Sequence, residues 1–238
     1  MSGLEVETGA KPASRWEDYV DVYFAPAELY ARRKDDRPGP ALITLVVLGA
    51  IAYYVLFPAN TMIMRASIPA EAAGNPGVEG FMTTMSYFGG IMVAITHFVS
   101  VLWAAVLLWL IARGVELRPD FRQAMIITTY AGFIYLLAQI AGGVLAMIYG
   151  EGLVPLRDLS FGVSRFLEPE SLTGVLGTLL RRIDLFVIWQ AFVWAVGVRV
   201  VLGGTRAQAA ITAIGVWLLF ALPGIIGAAL GMGQPPTG

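Results

Sequence analysis

Three polar side chains stand near the middle of long apolar runs: His97, Gln139 and Gln190. A polar group at membrane depth is costly unless it meets a partner or water. Their shared depth would let the three converge on one buried cluster, forming a small hydrophilic cavity or a proton-sensitive switch on the imidazole. The plainer reading is that each hydrogen-bonds a neighbouring helix as packing glue, worth about 0.6–2 kcal/mol. A lone histidine with no acidic residue at mid-span cannot build a metal site. Without paired carboxylates in the spans, proton pumping and acid–base catalysis have little support. Ser86 and Ser100 add hydroxyls on the segment that carries His97. A serine and a histidine on one helix still make no hydrolase without an oxyanion hole and substrate access. The chain contains no cysteine, which removes thiolate nucleophiles, disulfides and cysteine metal sites. The expectation is a non-enzymatic protein with no cofactor.

The elements that must position these side chains are five apolar stretches: Pro40–Phe57, Ser86–Ala112, Ala124–Tyr149, Ile183–Leu202 and Ala209–Leu230. Each is near or above the roughly 18–20 residues that a helix needs to cross a hydrocarbon core of about 30 Å. Composition agrees, with 57% hydrophobic residues, 14% charged residues and a mean hydropathy of +0.71. The predicted fold is all-α: a polytopic bundle of five transmembrane helices, preceded by short cytoplasmic interfacial helices. Lys11, Arg15, Arg32, Arg33, Lys34, Arg37, Arg113, Arg118, Arg122, Arg199 and Arg206 flank one face, against Arg65, Arg157, Arg165, Arg181 and Arg182 on the other. The positive-inside rule then puts the N-terminus in the cytoplasm and the C-terminus outside. The Arg181-Arg182 pair, just before the fourth span, sits on the wrong side for a strict reading. The first apolar run has no small-residue cleavage site at a plausible distance before it, so no removable signal peptide is expected.

Residues 1–14 read as a disordered tail and 233–238 as an outward one, with a membrane domain over 40–232. Within 15–39, Trp16, Tyr19, Val20, Tyr23 and Phe24 recur at helical spacing while Glu17, Asp18 and Asp21 take the other side. That predicts a short helix in the cytoplasmic interface; a soluble partner-binding helix is the rival reading. Pro26 opens a second short helix, with Leu29 and Tyr30 facing lipid and Arg32, Arg33 and Lys34 in the headgroup layer. The first outer loop, Ala59–Gly80, reads as irregular connection. The second, 150–182, places Leu172, Val175, Leu176, Leu179 and Leu180 on one helical face with Ser171 as N-cap. It is either an amphipathic surface helix or an extension of the fourth span. Ala138, Gly142 and Ala146 form a smooth stripe on the third span, and Gly227 and Gly231 another at the chain's end, where a second backbone can approach.

The run Ile183-Asp184-Leu185-Phe186-Val187-Ile188-Trp189, then Gly197-Val198-Arg199, then Arg206-Ala207-Gln208-Ala209-Ala210, resembles the signature of the Yip-one domain family. Asp184, Phe186, Trp189 and Gly197 carry most of it. The segment Val22-Tyr23-Phe24-Ala25-Pro26-Ala27-Glu28-Leu29-Tyr30 is similar to that family's stretch before its first span. The resemblance covers about Trp16 to Leu230 and implies five spans with the N-terminus cytoplasmic and the C-terminus outside. Eukaryotic members bind prenylated Rab GTPases. The short N-terminal region and the alanine, glycine and arginine richness with almost no lysine instead resemble a bacterial branch, in a cytoplasmic membrane without Rab traffic. Two functional classes remain. The first is an adaptor or assembly factor in the lipid bilayer that docks another membrane protein, such as a transporter. The second is a small-molecule or lipid permease or binder built on His97, Gln139 and Gln190. No nucleic-acid partner is expected.

Overall fold

A computed structural model describes residues 15–68 and 75–230. The predicted tails 1–14 and 233–238 lie outside these residues, as do Pro69 and Gly74 of the first outer loop and Gly231. The described residues are all-α, without strands and with one isolated bridge pair, Gly162 and Asp184.

Proline and capping residues decide where the long apolar segments begin and break. Helix α3 (Gly39–Val55) stops before Pro58, which lacks the N–H that a continuing helix needs. Pro58 lies instead in the first turn of α4 (Phe57–Ala66), where a missing N–H costs nothing. The two helices meet at 77°. At the bend the Asn60 amide donates to the Tyr53 carbonyl at 2.9 Å. The predicted irregular loop Ala59–Gly80 is therefore corrected: it contains α4 and the first turns of α5 (Pro76–Gly114). Asn75 accepts the Gly77 N–H at 2.9 Å and Pro76 opens the helix, so it starts well before Ser86. Its 39 residues make it longer than one bilayer crossing requires.

Helix α6 (Phe121–Tyr149) begins at a turn where the Gln123 side chain accepts the Asp120 N–H at 3.0 Å. The second outer loop holds a short α7 (Pro155–Asp158) and α8 (Gly174–Leu180). Helix α8 ends before the fourth apolar segment and packs on α11 (Leu222–Ala229), so it does not extend that segment. Its N-cap is Thr173, not the predicted Ser171, whose hydroxyl turns back to the Glu168 carbonyl at 2.6 Å. Helix α9 (Leu185–Val201) starts at Asp184, which accepts the Phe186 N–H at 3.0 Å. A Thr205–Gln208 capping box opens α10 (Arg206–Leu219), and the Gln208 amide also reaches the Val115 carbonyl at 2.8 Å.

Three helical segments are long and apolar enough to cross a membrane: Pro76–Gly114, Phe121–Tyr149 and Arg206–Ala229. Counting the bent pair α3–α4 as one span makes four; α9, at 17 residues, is shorter. Helix α3 packs on α5 and α6, α6 on α9, and α10 on both α5 and α9. The predicted stripe on α6 is used only in part. Ala146 is buried and Ala138 half-buried, but Gly142 faces open space, and it is Gly143 that admits Leu56. A Cβ on Gly143 would stand 2.6 Å from Leu56 Cδ1. Gly227 likewise meets nothing within 4 Å.

The N-terminal helices are built into the same core. Helix α1 (Arg15–Phe24) crosses three others in turn: the Tyr19 hydroxyl donates to Thr44 Oγ1 of α3 at 3.0 Å, Tyr23 to the Phe133 carbonyl of α6 at 2.8 Å, and the Tyr23 ring meets Trp189 of α9. Helix α2 (Pro26–Arg33) then runs along α9, with Tyr30 donating to the Ile127 carbonyl at 2.8 Å. Leu29 and Tyr30, predicted to face lipid, are fully buried among Val22, Ile127 and Val198. Asp18 is corrected too. It is 1% exposed, and its carboxylate accepts from Arg32 at 3.0 Å and from Arg33 at 2.7 Å; Arg32 also pairs with Asp21. The helical period placed Asp18 opposite the aromatics, but that side is covered by α2. Asp18→Ala would leave two guanidinium groups without their shared acceptor. It is expected to cost about 1.5–3 kcal/mol, measured as a shifted denaturation midpoint of the detergent-purified protein.

Candidate functional site

His97 is the sole histidine of the chain, is 2% exposed, and faces two cavities. Its Nδ1 lies 2.9 Å from the Val93 carbonyl one turn back. A carbonyl only accepts, so Nδ1 carries the proton of the neutral ring and Nε2 offers a lone pair. Nε2 is buried without a partner among the described residues. Helix α3 holds the ring from the other side: a Cβ on Gly49 would lie 3.0 Å from His97 Cε1. The Tyr135 ring of α6 stands 5.4 Å from the imidazole.

The three polar residues singled out from sequence do not form one cluster. Gln139 donates to the Gly49 carbonyl of α3 at 3.4 Å, and Gln190 to the Ala131 carbonyl of α6 at 3.2 Å. Each glutamine therefore ties two helices together. Gln190 lines a cavity of about 110 Å³ with Leu45, Ser100, Thr128 and Trp194; Gln139 lines another of about 170 Å³ with Tyr53, Asn60 and Thr96. His97 and Tyr135 belong to both walls. Ser100 shares the smaller cavity with His97, and among the described residues no carboxylate lines it. Sequence reasoning missed Trp194 and Tyr135. Each sits four residues from a glutamine that it did find, hence on the same helical face, and that spacing was the available signal.

The signature residues hold the bundle together. Besides capping α9, Asp184 accepts the Phe161 N–H at 2.7 Å, which fastens the second outer loop to the helix start. Phe186 meets Phe161 edge-on at 4.9 Å and stacks on Trp189, which in turn meets Tyr23 at 5.9 Å. Gly197 lets Ile127 approach, since a Cβ there would stand 2.6 Å from Ile127 Cγ2. These contacts join α1, α6, α9 and the outer loop. The pattern of the Yip1 domain matches residues 20–227. The chain belongs to the Yip1 domain family. It is an apolar, multi-pass membrane protein of that family; no curated protein and no solved structure matches it.

The Yip1 domain takes in α2 and the second half of α1, so these N-terminal elements are part of the domain. Their outward face carries Trp16, Glu17, Val20, Phe24 and Glu28, all exposed, with Phe24 at 81%. The side chains of Arg32 and Arg33 turn toward Asp18, while Lys34 remains exposed. On the far side of the molecule Arg182 donates to the Trp217 carbonyl at 2.9 Å and lies over the Trp217 and Phe220 rings. Burial there pulls its pKa below the usual arginine value.

Burial pushes the Tyr23 phenol up to about 12. With a folded value above the unfolded one near 10, the neutral phenol stabilises the fold fully below pH 10. That contribution is lost as pH rises through 12. Thermal unfolding of detergent-solubilised protein should therefore lose more stability between pH 10 and 12 in the wild type than in Tyr23→Phe. Parallel curves for the two proteins would contradict this reading of Tyr23.

Proposed function

We propose that this Yip1-domain chain is a five-span, non-enzymatic membrane adaptor or assembly factor. In this reading α3–α4, α5, α6, α9 and α10–α11 each cross the bilayer, with the N-terminus in the cytoplasm and the C-terminus outside. The membrane is a bacterial cytoplasmic membrane and the partner another membrane protein, such as a transporter. A Rab GTPase is not the partner in that setting.

The observation that carries the proposal is the mixture of exposed aromatics and carboxylates on the outward face of α1–α2. Helix α1 crosses α6 at Phe133 and meets α9 at Trp189. The first point is about 16 Å of helix from Arg122 and the second about 15 Å from Arg199. These arginines mark the basic end of the bundle, so the Tyr23 end of α1 reaches inward, while Asp18 stays at that end, paired with Arg33, which also holds Asp36 beside the Asp35 and Asp36 carbonyls that Arg122 reaches. Glu17 and Glu28 are exposed on this helix pair beside Trp16 and Phe24. Neither water nor lipid alone suits a face that mixes carboxylates with large exposed aromatics. A partner helix presenting arginine or lysine with an apolar groove pairs them and covers the aromatics.

The test is mild-detergent co-purification of the tagged full-length protein, with a photo-crosslinking residue at Phe24. A crosslinked membrane protein should be recovered, and Glu17→Gln with Glu28→Gln should lower its recovery about three- to tenfold at unchanged expression. Recovery of the chain alone, or a crosslink insensitive to the two substitutions, would refute the docking role.

A further inference from the structure

We propose that the cavity of about 110 Å³ among α3, α5, α6 and α9 is a binding site for a small neutral hydroxyl-bearing group of glycerol type. Two of the residues that line it, His97 and Trp194, each carry a buried polar atom without a partner among the described residues. His97 Nε2, with Nδ1 committed to the Val93 carbonyl, is an acceptor, and Trp194 Nε1 is a donor. Both side chains are 2% exposed. A buried polar group without a partner is expensive, and a hydroxyl answers both needs, because its O–H donates to His97 while its oxygen accepts from Trp194. Ser100 and Gln190 supply further polar lining, and Leu45, Val101 and Phe220 give the apolar remainder. A few polar points on an otherwise apolar wall are the ordinary make-up of a small-molecule site.

Size and charge narrow the class. Engineered cavities of about 150 Å³ admit benzene, so this one takes a group of roughly four to six heavy atoms. Among the described residues no acidic side chain lines it, and His97 is its one basic group. A phosphate or an ammonium would enter without a permanent counter-charge, which at this depth is prohibitive. Glycerol has the right size and valence. It can arrive free, or as the headgroup of an acylglycerol whose chains pass between the helices into lipid. This site shares no residue with the α1–α2 face and stands whether or not that face docks a partner.

The experiment is equilibrium binding of labelled 1,2-dioctanoylglycerol to the full-length protein in mild detergent. Its 3-acetyl ester, which lacks the O–H donor, serves as the comparison, and glycerol as the competitor. We expect one dioctanoylglycerol per chain and at least about tenfold weaker binding of the ester. We expect a loss of about five- to tenfold in Trp194→Phe, which removes the N–H and keeps an aromatic ring. His97→Leu should abolish the preference for the alcohol over the ester. Should His97→Leu fail to fold, Trp194→Phe and the ester comparison still decide. Competition by glycerol alone would identify a free polyol as the source of the hydroxyl, and indifference to glycerol would identify the lipid. Equal binding of alcohol and ester, equal binding by wild type and Trp194→Phe, or no binding of either lipid or glycerol would overturn the proposal.

Discussion

Every interruption in this bundle faces one constraint: a backbone N–H or C=O released at membrane depth has no water to turn to. Each break is closed by a side chain. Asn60 serves the α3–α4 bend at the Tyr53 carbonyl, and Asp184 collects the Phe161 and Phe186 N–H groups at the start of α9. Where α10 gives way to α11, the Ala221 N–H turns to the Leu218 carbonyl. The Trp217 carbonyl then accepts from Arg182. Gln208 reaches across from α10 to the Val115 carbonyl at the end of α5. The polar residues of the apolar segments are distributed according to where the backbone needs them, and that explains why Gln139 and Gln190 bind carbonyls of neighbouring helices.

The same constraint explains what could be read from sequence. The cores of α3, α6 and α9 were legible because hydropathy reports continuous apolar chain, and their predicted limits lie within about three residues of the observed ones. The helical stretch before Ser86 was not, because Asn75, Pro76, Gly77 and Gly80 have loop composition; capping chemistry at Asn75 made them a helix start. Leu29 and Tyr30 were assigned to lipid because sequence periodicity gives a face without saying what covers it. The predicted stripe Ala138, Gly142 and Ala146 shows the same limit. Small residues mark where close approach is possible, while the position of Leu56 after the proline break decided that Gly143 would be used.

For the polar site, sequence identified the right depth and only part of the right partners. His97 and Gln190 do share a wall, but Trp194 and Tyr135, which the sequence reading did not single out, line it as well. An indole or a phenol in an apolar run has no distinctive signal of its own. The cue lay in its four-residue spacing from a glutamine, and it becomes useful only once the helix is known to face a cavity. The family signature had a parallel ambiguity. Short motifs around Asp184, Phe186, Trp189 and Gly197 resemble a site, yet their side chains cap, stack and admit neighbours.

The Arg181-Arg182 pair, which weighed against a cytoplasmic N-terminus, takes a different meaning from its contacts. The positive-inside rule counts cations free to interact with the insertion machinery and the headgroup layer. Arg182 is neither free nor fully hydrated in the folded protein: it lies over two aromatic rings and accommodates the carbonyl left over where α10 breaks. Arg181 bonds Thr178 within α8. A cation required by a backbone break must stand beside that break on whichever side of the membrane it falls. Its presence near the start of α9 therefore follows from Pro223 and the broken last helix, and it weighs less in the charge balance than Arg113, Arg118, Arg122, Arg199 and Arg206 at the opposite end.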